Sequence, residues 1–212
     1  MTRGCAEEVV VGIDVGGRRK GFHAVALQAG AYRGQRVTAD PLELARWCRE
    51  EIGARLIAID APCRWSADGR ARPCERQLNA RGIRCFASPS RAAAVAHPSD
   101  YYGWMLQGEA LYRELETSHP LLGALPPAGP ACFETFPHAI TWQLRGGEAS
   151  AAHKRPQRLA LLQQAGLDPT PFRSMDLIDA ALCALAAHHL ASGGACLACG
   201  EPESGLIVLP AA

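Results

Sequence analysis

Two short apolar runs end alike, and they limit what this chain can become. Val9-Val10-Val11-Gly12-Ile13-Asp14 and Leu56-Ile57-Ala58-Ile59-Asp60 are rich in β-branched residues, and each stops at an aspartate. Continuous apolar runs without alternation are expected of strands covered on both faces, as in a parallel sheet between helices. Neighbouring strands of such a sheet lie about 4.8 Å apart, so aspartates at matching ends become neighbours. Two carboxylates that close repel unless a proton or a cation lies between them. Ligand sites of open α/β sheets also lie at the carboxyl ends of strands. One aspartate there would simply cap a turn; the pair points to a site.

The remaining pattern supplies the sheet and its cover. Gly16-Gly17 breaks the first strand, residues 22–27 read as a returning strand, and a weaker third runs near 32–37. Asp40-Pro41-Leu42-Glu43 is a helix start, with Asp as N-cap and Pro at the first position, and that helix continues to about residue 51. A short helix is predicted over 73–81, closed by Gly82, and a longer one over 101–116. Residues 131–136 read as a strand ended by Pro137, 158–164 as a helix ended by Gly166, and Ser174 caps an alanine-rich helix through His189. Residues 205–209 suggest a last edge strand. This order predicts an α/β fold: an antiparallel meander of three strands, later strands joining in parallel through helical crossovers, and helices on both faces. With 212 residues, no repeat and no dividing linker, one domain is expected, carrying an arginine-rich helical insert over about 63–130.

Composition narrows the setting. Hydrophobic residues make up 48% and charged residues 20%, enough apolar material for a core. No run is long enough to span a membrane, and the first eight residues lack the basic-then-apolar layout of a signal peptide. A soluble cytoplasmic protein is expected. Nine cysteines, an odd number, read mostly as small buried hydrophobes of a reduced protein. Cys196-Leu-Ala-Cys199 has no second pair with which to build a zinc site. Net charge is only +1, but seven arginines between 64 and 91 face only Asp68 and Glu75, and Arg18-Arg19-Lys20 form a second basic cluster. The planar guanidinium suits phosphate, so an anionic ligand is expected.

Three more carboxylates stand out. Glu134 interrupts the otherwise apolar Cys132-Phe133-Glu134-Thr135-Phe136. Asp176 and Asp179 are three apart at the start of the alanine-rich helix and share a face. Asp176 suits a first helical turn, whereas Asp179, followed by Ala180-Ala181-Leu182, lies on the side that packs the sheet and needs a cation or a donor. Oxygen ligands alone suit a hard cation, Mg²⁺ or Mn²⁺. Two such ions about 3.5–4 Å apart serve phosphodiester hydrolysis.

Gly12-Ile13-Asp14-Val15-Gly16-Gly17, Ile57-Ala58-Ile59-Asp60-Ala61-Pro62, Phe133-Glu134-Thr135-Phe136-Pro137-His138 and Asp176-Leu177-Ile178-Asp179-Ala180-Ala181 resemble, in this order, the motifs of domain-of-unknown-function family 429. Cys74-Glu75-Arg76-x-Leu78 and the closing run 205–210 extend the resemblance over nearly the whole chain. That family is regarded as predicted nucleases of the ribonuclease H-like fold, and the Asp-x-x-Asp-Ala-Ala helix is also similar to the last catalytic helix of Holliday-junction resolvases. The resemblance implies a catalytic set of Asp14, Asp60, Glu134, Asp176 and Asp179, with Asp14, Asp60 and Asp176 or Asp179 as metal ligands. It implies nucleic acid, DNA or RNA, as the partner, and a homodimer by analogy with resolvases.

Arg76 and Arg81 in the insert, and Lys154 with Arg158 on one helical face, are candidate substrate contacts. His138 follows Pro137 and is a candidate proton shuttle or a satisfied structural histidine; Tyr101-Tyr102-Gly103-Trp104 could stack on bases or pack a helix. The leading expectation is a divalent-metal-dependent nuclease. The alternative is a catalytically inactive nucleic-acid-binding or adaptor module of the same fold. An actin-like nucleotide phosphatase ranks last, because 212 residues are too few for two copies of the fold.

Overall fold

The computed structural model describes residues 8–211; the first seven residues of the amino-terminal stretch read for a signal peptide, Cys5 among them, lie outside them. The seven strands are β1 (Val9–Val15), β2 (Phe22–Gln28), β3 (Ala31–Thr38), β4 (Leu56–Asp60), β5 (Ala131–Glu134), β6 (Cys196–Glu201) and β7 (Gly205–Pro210). They form one sheet in the order β3-β2-β1-β4-β5-β7-β6. The first three strands pair antiparallel, β4 joins β1 in parallel, and β5 and β7 continue in that direction. This is the mixed, helix-flanked sheet that the order of strands and helices predicts.

Two expectations are corrected at the far edge. The strand over 205–210 is interior, buried along its whole length between β5 and β6. The edge is β6, formed by the Cys-Leu-Ala-Cys segment, whose side chains alternate too weakly to announce a strand. Cys196 and Cys199 are three apart on it and therefore point to opposite faces.

Helices α1 (Pro41–Arg46) and α4 (Gly103–Leu115) cover one face of the sheet; α5 (Pro137–Leu144), α6 (Lys154–Gln164) and α7 (Met175–Ala191) cover the other. The short α2 (Pro73–Ala80) packs on β6 and β7, and α3 (Arg91–Val95) lies in the insert. Asp40 caps α1 by accepting from Leu42 N at 2.9 Å, and the helix continues as a π-helical turn over Trp47–Ile52. Pro137, read as a strand stop, is also the first residue of α5, a position where its missing N–H costs nothing.

Ser174 caps α7 through its hydroxyl, which accepts from Leu177 N at 3.1 Å. Eleven of the helix's 17 residues are buried, mostly alanines and leucines, which lets its backbone approach the sheet closely. The closest approach is at Gly12, where an added Cβ would stand 1.9 Å from Ala184 N and 2.2 Å from Ala180 O. Both are backbone atoms, so nothing there can rotate aside. Gly12→Ala is therefore expected to push α7 off β1 and cost roughly 1–3 kcal/mol, the usual range for overpacking. The urea midpoint should fall with an unchanged slope; a wild-type midpoint would show that the contact has slack.

Candidate functional site

In the parallel pairing of β1 with β4, Asp14 stands opposite Asp60. Residues opposite one another in a parallel pair point to the same face. Val10, Ala58 and Phe133 belong to the cluster under α7, whereas Val11, Ile13, Ile57, Ile59 and Cys132 belong to the cluster under α1 and α4. Alternation therefore turns Asp14 and Asp60 toward α7. The contact at Gly12, two residues before Asp14, holds the start of that helix over the strand ends, so Asp179 and Asp176 face the same space.

The electrostatics agree. Burial first, and then the charges of Asp179 and Asp176, push the Asp14 carboxyl up to about 7, against the opposing charges of Lys20 and Arg158. Asp60 is raised well above the ordinary carboxylate range by burial, then by Asp14 and Asp179. Asp179 is raised by burial and held down by Arg158 and Lys154. These four aspartates therefore form one group of interacting carboxylates.

Basic side chains ring the group. Arg158 Nη1 donates to Asp179 Oδ1 in a buried ion pair, and Lys20 Nζ donates to Asp176 Oδ1 at 3.1 Å. His23, the cross-strand partner of Asp14, places Nε2 4.0 Å from Asp176 Oδ2. Two buried side-chain nitrogens lack a hydrogen-bond partner among the described residues, His23 Nδ1 and Arg158 Nε. Both belong to this site. Lys20 lies in a basic cluster visible in the sequence; His23 has no such signal, because only the β1–β2 register sets it beside Asp14.

Other candidate residues are placed elsewhere. Glu134 is opposite Ile59, so it points to the face away from Asp14 and Asp60. There it accepts from Arg72 Nη1 at 2.9 Å and Nη2 at 2.7 Å, and from Cys63 N at 2.9 Å. Arg72 Nε also donates to Glu75 at 2.8 Å, and Glu75 accepts from Ser88. All four side chains of this network are buried. Lys154 and Arg158 neighbour Asp179, whereas Arg76 and Arg81 do not: α2 leans on β6, and the Arg81 charge lies near Cys199 of that strand. His138 lies in the first turn of α5, its pKa lowered by burial and then by the charge of Arg158. Tyr101 and Tyr102 pack on each other and on His97, with ring centroids 4.8–5.6 Å apart.

The family described as "Protein of unknown function (DUF429)" matches residues 12–204, a span that holds both strand-end aspartates and the whole of α7. The chain belongs to this family. No curated protein matches the chain. Among solved structures, this DUF429 protein is similar to RuvC of Thermus thermophilus, with 15% sequence identity and a TM-score of 0.48, over 87% of this chain and 96% of that one. Among the described residues no helix is long and apolar enough to cross a membrane.

Proposed function

We propose that this DUF429 protein is a divalent-metal-dependent nuclease. The observation that carries the reading is the pairing of Asp14 with Asp60 on adjacent parallel strands, with Asp179 and Asp176 presented over them by α7. Four interacting carboxylates in a buried setting are unstable as a set of charges. An all-oxygen donor set of this kind fits Mg²⁺ or Mn²⁺. Asp14, Asp60, Asp179 and Asp176 would hold the cation, which when bound activates water and stabilises the leaving oxygen of a phosphodiester.

The protein's own groups would do the rest. Arg158 has one nitrogen on Asp179 and leaves Nε free to donate to a phosphate oxygen. Lys20, largely exposed beside Asp176, and Lys154 beside Asp179 would draw a polyanion to the strand ends. His23, its pKa lowered by burial, stays neutral at physiological pH and can accept or pass a proton. On this reading Glu134 is a clamp for the insert and holds no cation.

A second reading rests on a specific observation. Among the described residues no three His, Cys, Asp or Glu side chains are already gathered around one cation position, and Asp179 and Asp176 are ion-paired to Arg158 and Lys20. A nucleic-acid-binding module that is neutralised internally would look like this. One experiment separates the two: single-stranded, duplex and branched DNA and RNA incubated with Mg²⁺, Mn²⁺ or chelator. Metal-dependent cleavage supports the nuclease. Binding unchanged by chelator, with no product under any condition, supports the module.

A further inference from the structure

Beside Asp60, but on the insert side of the sheet, a cleft opens between the ends of β4 and β5 and residues 85–88 and 104–105 of the insert. Three aromatic side chains line it, Phe86, Trp104 and Phe136, beside Met105 and Ile207. Phe86 is 80% exposed, the most exposed of the large hydrophobic side chains among the described residues. A phenyl ring left in water forfeits the burial energy that normally holds such a residue inside. The polar groups at the floor, Arg72, Glu75 and Glu134, are already committed to one another. The cleft therefore offers flat apolar walls and few free donors or acceptors.

The surrounding charge is an independent observation. Arg84, next to Cys85 and Phe86 of the cleft wall, and Arg64 and Arg70 of the same insert are exposed, and none is ion-paired with a carboxylate among the described residues. An aromatic slot within an unpaired arginine field fits an occupant that is flat and uncharged at one end and anionic at the other. We infer that the cleft takes an unstacked nucleobase of a single-stranded or locally opened nucleic acid, seated against Phe86 and Trp104, with the flanking phosphates directed toward the arginines and the Asp14–Asp60 strand ends. This rests on the nucleic-acid reading above and adds the form of the substrate. Sandwiching a base between aromatic side chains is sequence-tolerant, because every base has a π face.

The test uses the full chain in chelator, so that cleavage plays no part. The probes are a single-stranded DNA oligonucleotide carrying one 2-aminopurine, its RNA counterpart, a DNA strand of the same length that is abasic at every position, and the fully paired duplex. Expected is a change in 2-aminopurine emission on binding, with tighter binding of the single strand than of the duplex. Phe86→Ala and Trp104→Ala should each weaken single-strand binding about tenfold, within the range known for loss of one stacked base. The salt dependence, which reports phosphate contacts, should stay unchanged, as should the melting temperature of Phe86→Ala. Abasic DNA should bind wild type about as weakly as the base-bearing strand binds Phe86→Ala. DNA or RNA binding alone suffices, and the two arms tell which sugar is tolerated.

If strands bind tightly but Phe86→Ala and the abasic probe change nothing, the cleft assignment is overturned while the nucleic-acid reading stands. If no strand or duplex binds, both fall. If Phe86→Ala instead abolishes self-association in sedimentation and spares oligonucleotide binding, the cleft seats a second copy of the chain, and the base is excluded.

Discussion

Asp14→Asn should abolish metal-dependent cleavage and at the same time stabilise the metal-free protein. Losing one carboxylate from a metal cluster removes several kcal/mol of transition-state charge stabilisation, a rate loss of about a thousandfold or more. The gain in stability follows from the direction of the pKa shift. Asp14 titrates at about 7 in the folded chain, against an ordinary value of 3.8. Between those values the folded state holds a proton that the unfolded state releases. The contribution is thus complete below about pH 4 and is lost as pH rises through about 7.

Wild type without metal should therefore melt lower at pH 8 than at pH 5 as far as this group is concerned, and Asn, which cannot ionise, should flatten that dependence. A difference on the order of 1–2 kcal/mol at pH 8 would raise the melting temperature of the variant by roughly 2–8 °C in a chain of this size. Saturating Mg²⁺ should reverse the ranking, because ligand binding stabilises only the protein that retains its site. Melting curves at two pH values, with and without Mg²⁺, check all three statements. Retained cleavage in the variant would sink the nuclease; an unchanged pH profile would sink the carboxylate cluster as described.

The strand-end aspartates were legible because their signal is local. An apolar run that stops at Asp reveals both the strand and its end, and two such runs imply the pairing that the β1–β4 register shows. Asp179 was legible for a related reason: it interrupts the alanine-rich face that packs the sheet. Features set by long-range register were hidden. His23 gains its place only through the pairing of β2 with β1, and Arg72 meets Glu134 across 62 positions of sequence. The insert follows Asp60 in the chain, which put Arg76 and Arg81 beside the carboxylates by proximity in sequence. In space α2 crosses to β6, at the far edge of the sheet. Glu134 shows the same limit. Its strand is legible, but the face it points to depends on pairing with Ile59, and its partner on the folding of the insert.

The same partnership predicts the largest loss of stability. Arg72→Ala leaves Glu75 and Glu134 buried at 1% and 4% exposure without the guanidinium that joins them. Removing one partner of a buried ion pair typically costs 3–5 kcal/mol, because the remaining charges stay desolvated. Marginal domains have about 5–15 kcal/mol in total, so the variant should lose a large part of its urea midpoint. Much of that penalty is uncompensated charge, and neutralising one carboxylate should recover some of it: Arg72→Ala with Glu134→Gln should be more stable than the sum of the two single losses. Additive losses would mean that the two side chains are not coupled as the hydrogen bonds indicate.

The single variant Glu134→Gln bears on function as well. Glu134 also accepts from Cys63 N, three residues beyond Asp60, so the clamp steadies the loop that leaves that aspartate. A clamp residue lowers stability and loosens the loop, yet the folded fraction still cleaves at a measurable rate and binds Mg²⁺ with near wild-type affinity. A metal ligand loses both. Calorimetric titration of Mg²⁺ into Glu134→Gln and Asp14→Asn, at a temperature where both remain folded, should leave the first close to wild type and weaken the second at least tenfold.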